Sequence, residues 1–178
     1  MEPQAGLGSS GRLAARLALA VGAAYALVSA YWAAGGTRLL GTVGGSLEVA
    51  GRSRGAWIVG LLWLVVVLKL AAAELPLVAI DRPGDGRSVD GRSYVWARRL
   101  GWVAGWLLSA YGFVLTLTGL LVESGIVDPG RGADRRALAY HAFLWDPWFL
   151  VWGVLVLAAL RCSVRPGREE WRAWDPRK

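Results

Sequence analysis

The chain has 178 residues, enough for one compact domain, and 55% of them are hydrophobic, with a mean hydropathy of +0.41, above that of an ordinary soluble domain. Its net charge of +7 and pI near 10.3 do not point to nucleic acid. The basic residues cluster beside apolar helix ends, where they orient a membrane protein and meet anionic headgroups. A lone cysteine, Cys162, and a lone histidine, His141, exclude an intrachain disulfide, a dithiol relay, bis-histidine haem ligation and a multi-histidine zinc site, so no metal or cofactor is expected.

Residues 1–12 are polar and glycine-rich and read as a disordered cytoplasmic tail. Arg12 and Arg16 precede an apolar run from Leu17 to Ala34. That run is long for a signal-peptide core and ends in aromatics, so it reads as a retained first helix over about 13–34. A glycine-rich stretch, Gly35 to Gly45, then turns the chain. The second helix covers about 57–80 and, at roughly 1.5 Å per residue, crosses a hydrocarbon core of about 30 Å. The segment Asp81–Arg99 is charged and turn-rich.

The third helix covers about 100–122 and carries a stripe of small residues, Gly101, Gly105, Ser109, Gly112, Thr116 and Gly119. Such a stripe lets membrane helices approach closely. Helix 1 has a similar line at Gly22, Tyr25, Ser29, Trp32 and Gly36, also read as a packing face. The fourth helix, about 141–163, is interrupted by Asp146-Pro147. Either Asp146 caps a new helix with Pro147 in its first turn, or Pro147 kinks a longer one. Residues 165–178 form a second cytoplasmic tail.

The predicted fold is therefore all-α, a four-transmembrane-helix bundle within residues 13–164. The tails, with Arg16 and Arg161 at the adjoining helix ends, and the Asp81–Arg99 loop hold 13 basic residues against six in the other two loops, which places both termini in the cytoplasm. Localisation is expected to be a plasma membrane of the bacterial inner-membrane type. Leu27-Val28-Ser29-Ala30-Tyr31 and Leu107-Leu108-Ser109-Ala110-Tyr111 match at an offset of 80 residues, which suggests two repeated helix hairpins.

Three stretches carry a family resemblance: Tyr31-Trp32-Ala33-Ala34-Gly35-Gly36-Thr37, Val67-Leu68-Lys69-Leu70, and His141-Ala142-Phe143-Leu144-Trp145-Asp146-Pro147-Trp148-Phe149-Leu150. On these the chain resembles a domain-of-unknown-function family of small bacterial four-helix integral membrane proteins. The resemblance implies a four-helix membrane fold and no particular activity.

Lys69 stands near mid-span among apolar neighbours, where a charge costs several kcal/mol. It is expected to face the bundle interior or a wet cavity; the alternative is a snorkelling lysine. Glu74 lies about 140° around the helix from it and cannot bridge it directly. Asp146 lies among Trp145, Trp148 and Trp152. It reads as a helix cap beside an interfacial belt, or as an acid/base partner of His141, with Glu123 and the glycine loop converging on the same end. Trp32, Trp63, Trp106 and Trp152 are hard to place at an interface and are assigned to the interior. Tyr31 and Trp32 complete the candidate site.

These residues suit an aromatic-lined intramembrane site for an apolar small molecule or lipid; whether it is an enzyme is left open. Alternatives are a transporter or proton-conducting subunit acting as a homo-oligomer, with Lys69 and Glu74 on its path, and an accessory subunit bound to a membrane-protein partner. Membrane lipids are the expected surroundings. A blind pocket at Lys69 favours the first, and a continuous wet path the second.

Overall fold

A computed structural model of the chain describes residues 4–53, 55–80 and 91–163. The described residues are helices and loops without strands: α1 (Gln4–Ala33), a 3-10 turn (Leu40–Thr42), α2 (Gly45–Ser53), α3 (Ala56–Ile80), α4 (Gly91–Glu123), α5 (Arg135–Tyr140), a π-helical turn (His141–Trp145) and α6 (Asp146–Cys162). Four stretches, Ser9–Ala33, Ala56–Ile80, Arg92–Glu123 and Arg135–Cys162, are long and apolar enough to cross a membrane.

The spans close a ring in the order α1, α3, α4, α6, so α1 and α4 occupy opposite corners. The small-residue stripe of α4 is what holds it to α6. Gly101, Gly105, Ser109, Gly112 and Gly119 are all buried. A methyl group on Gly105 would lie 2.7 Å from Leu157 Cδ2, and one on Gly119 would lie 2.7 Å from Ala142 Cβ. One on Gly112 would meet the backbone of Leu150. The line on α1 packs equally closely, with Gly22 against the Trp152 ring and Ala73. Backbones this close gain dispersion contacts that lipid cannot match.

Several boundaries depart from the expected ones. Residues 4–12, expected to be a disordered tail, are helical. Gly11 there packs on the backbone of Cys162 and Ser163, with a Cβ on it only 3.2 Å away, so the start of α1 and the end of α6 share one end of the bundle. The polar residues 91–99 extend α4 rather than ending a loop. Arg98 explains part of this: it donates to Leu160 O and to Ser163 Oγ, both at 3.1 Å, and so satisfies orphan acceptors at the end of α6. The amphipathic helix α2 was not expected; an Arg52–Glu48 pair at 2.8 Å braces it. The expected cytoplasmic tail 165–178 and residues 81–90 of the charged segment lie outside the described residues.

The last span runs through Asp146-Pro147 without breaking. It starts at Arg135, where the Asp134 carboxylate accepts from Ala137 N at 3.1 Å. Asp146 does not cap α6; it occupies the helical region and turns its carboxylate back on His141. Pro147 is tolerated because it falls in the first turn of α6. Trp152 is 1% exposed, as an interior residue should be, but Trp63 and Trp106 are 46% and 56% exposed and belong to the outer face. Large aromatic rings incur no penalty against lipid, so depth alone does not drive them inward.

Candidate functional site

The site is assembled at the end of the bundle away from the described chain ends. Its floor is Lys69, 13 residues into α3 and so about 20 Å along that helix. The ammonium donates to Ser29 Oγ at 2.8 Å and sits 3.5 Å from the centroid of the Tyr25 ring. Tyr25 and Ser29 are one turn apart on α1 and both buried, so a single helix face supplies the hydroxyl and the π face. The expectation that Lys69 faces inward agrees with this geometry, which is the one a cation takes over an aromatic ring.

Tyr25 is also the hub of an aromatic cluster. It stacks on Trp145 (5.9 Å between centroids, 17°) and on Trp148 (5.3 Å, 23°), and Phe149 meets it edge-on at 4.9 Å. Trp32 meets Trp145 edge-on at 5.6 Å, and Tyr111 meets Phe149 at 5.2 Å.

The π-turn determines what the far wall presents. Its extra residue per turn is recorded by the Asp146 N–H, which reaches the His141 carbonyl five residues back. On an α-helix, residues five apart point about 140° away from each other. The wider turn brings His141 and Asp146 onto one side, with Nδ1 to Oδ1 at 3.2 Å. Turns of this kind recur at functional sites. His141 Nε2 lies 3.1 Å from Val43 O. A carbonyl only accepts, so Nε2 carries a proton.

A lid closes the site. Gly35 to Gly44 fold over its end, with Leu39 held at φ 62° in the left-handed region. A leucine there costs about 1 kcal/mol, so the surroundings must impose it. Three site side chains do so. Trp32 Nε1 donates to Arg38 O at 2.9 Å, Trp145 Nε1 donates to Thr42 Oγ1 at 3.2 Å, and His141 holds Val43 O. Gly44, at φ 68°, lies so close to Ala137 that a Cβ would come within 2.7 Å.

Beneath the lid is a cavity of about 300 Å³. Tyr25, Ser29 and Trp32 form one wall, and Ile58, Leu61, Leu62, Val65 and Lys69 the next. Tyr111, Phe149 and the three residues His141, Trp145 and Asp146 complete it, with Leu40, Val43, Ala50 and Gly51 above. Of the residues expected at the site, Lys69, Trp32, His141, Trp145 and Asp146 come together here. Trp148 backs the cluster from behind Tyr25, donating to Val21 O at 3.0 Å, and lines an outer groove instead. Tyr31 is exposed; its hydroxyl accepts from Arg38 N at 3.4 Å. Glu74 and Glu123 lie on exposed faces away from the cavity. Tyr25, Ser29, Thr42, Tyr111 and Phe149 were not expected as site residues. In the sequence Tyr25 and Ser29 mark only a packing face of helix 1. No group of three or more potential metal ligands occurs among the described residues.

Fold and site together define a small all-α protein whose four helices can span a membrane and enclose an aromatic cavity with a lysine floor. The chain belongs to the family described as "Protein of unknown function (DUF3995)", whose model matches residues 22–156. That range takes in every side chain of the cavity wall. No curated protein and no solved structure matches the chain.

Proposed function

We propose that this protein is embedded in a cell membrane and holds an apolar small molecule or lipid in the cavity above Lys69. The observation that carries the proposal is that the cavity is blind. From Lys69 toward the other end of the bundle the core is Ala18, Ala73, Ala79, Trp152, Val156 and Leu160, all buried and apolar. Among the described residues the buried polar atoms at this level, Ser109 Oγ and Trp152 Nε1, have no hydrogen-bond partner and so form no chain for protons or ions, and Glu74 stands outside it. A mostly apolar cavity with a few convergent polar groups is the usual form of a small-molecule site. A volume of about 300 Å³ equals on the order of ten waters, room for one ring or a medium-length chain.

Val65 lines the cavity from α3. Val65→Phe is expected to fill it and leave the bundle folded. Mass spectrometry of molecules extracted from the purified proteins checks this. Wild type should release an apolar molecule in near-stoichiometric amount, and Val65→Phe at least about tenfold less, as loss of roughly 1.4 kcal/mol or more of binding implies. Equal release from both would remove the cavity as the site.

The orientation follows from the loop charges, with both termini and the segment around Ser88 cytoplasmic. In a Cys162→Ala background, Ser88→Cys is expected to react with an impermeant thiol reagent only after the cells are opened. Labelling of intact cells would reverse the topology.

A further inference from the structure

We infer that the bound molecule is an apolar monocarboxylate, with its carboxylate on Lys69 and its body leaving the cavity between α3 and α4. The inference rests on the reading of the cavity as a ligand site.

Charge balance gives the acid group. Among the described residues no carboxylate lies within salt-bridge distance of Lys69, whose partners are the Ser29 hydroxyl and the Tyr25 ring. An ammonium has three N–H groups. One is used by Ser29, one side rests on the ring, and the remainder point toward the cavity that Lys69 lines. An unpaired cation in a medium of low dielectric is costly, and an anion brought to it recovers much of that cost. Asp146 does not serve, because its carboxylate is turned to His141 Nδ1, 3.2 Å away, and forms no ion pair with Lys69.

The same count sets the valence. The cavity offers one cation, so a phosphate monoester near two charges would leave one of them uncompensated, whereas a carboxylate is matched.

The route of the body comes from exposure. Leu61 of α3 and Tyr111 of α4 line the cavity yet are 45% and 54% exposed. The two helices approach one another at the opposite end, where a Cβ on Gly101 would lie 3.9 Å from Ala79 Cβ. Toward the lid, the exposed Leu61 and Tyr111 mark a side opening to lipid. The remaining wall beside it is Ile58, Leu62 and Val65, which suits a hydrocarbon body.

Dodecanoate and methyl dodecanoate, added to the full-length protein in a nonionic detergent, test this through the thermal midpoint. A ligand that binds only the folded state raises that midpoint in a saturable way. Wild type should saturate with dodecanoate at a concentration at least about tenfold below that for the ester, the loss expected when a charge-assisted hydrogen bond is removed. Lys69→Met should abolish the difference between the two, and Val65→Phe should abolish the saturable response to both. Equal responses of wild type to acid and ester, both lost in Val65→Phe, would overturn the carboxylate and leave the apolar site standing. A preference for the acid that persists in Lys69→Met would overturn its placement on Lys69. No saturable response to either would overturn the site itself.

Discussion

Gly112→Leu should destabilise the bundle more strongly than Gly105→Leu. At this position the neighbour is backbone: an added Cβ would fall against Leu150 N, 2.8 Å from Leu150 Cα and 2.9 Å from Asp146 O. A side chain can rotate away, but the first turn of α6 cannot. The two helices must separate, and Asp146, which sits at that contact, would lose its alignment with His141. Overpacking typically costs about 1–3 kcal/mol, and a clash with backbone belongs at or above the top of that range. Against a total stability of about 5–15 kcal/mol, this lowers the thermal midpoint by roughly 5 °C or more. Gly105→Leu meets the flexible end of Leu157 and should cost less. Gly60→Leu has nothing within 4 Å and should cost nothing measurable. The check is the thermal midpoint of the three variants in one detergent. Equal midpoints for Gly112→Leu and Gly60→Leu would show that the stripe does not hold α4 to α6.

Lys69→Met should fold as well as wild type, melt at the same temperature or higher, and retain at least about tenfold less bound molecule. Methionine has similar volume and flexibility, and it removes an ion that the apolar interior stabilises poorly. What is lost is one hydrogen bond to Ser29 and the contact with Tyr25. Ser29 can redirect its hydroxyl to the carbonyl one turn back on its own helix. Lys69→Glu should behave oppositely, because a carboxylate over the electron-rich Tyr25 face is repelled. Thermal melts and extraction of bound molecules, run on both variants, check the pair. Collapse of Lys69→Met would make the lysine a structural group rather than a ligand contact.

The four spans were legible because each is an apolar run of about 20 residues or more, which a bilayer core requires. Their ends were not, since residues 4–12 and 91–99 are polar and are helical through contacts at a distance. Gly11 on Cys162 and Arg98 on Leu160 are two of these contacts. Lys69 could be found from the sequence because a mid-span charge stands out against its neighbours. Tyr25 and Ser29 could not be raised above a packing face, since their role depends on which face of α3 meets them. Trp63 and Trp106 were misplaced for a related reason. A membrane helix is apolar on all sides, so its periodicity does not tell an inward ring from a lipid-facing one. The His141–Asp146 pair was hidden by its spacing. Five residues separate the two on an α-helix, and only the π-turn brings them together.

A density map of the full-length protein purified in native lipid tests the central claim most directly. It should show elongated non-protein density in the cavity, in contact with Lys69 Nζ and the Tyr25 ring, and emerging between Leu61 and Tyr111. A cavity closed by Tyr111 and Leu62 side chains, or a water column continuing past Lys69 through Ala73 and Ala79, would contradict it.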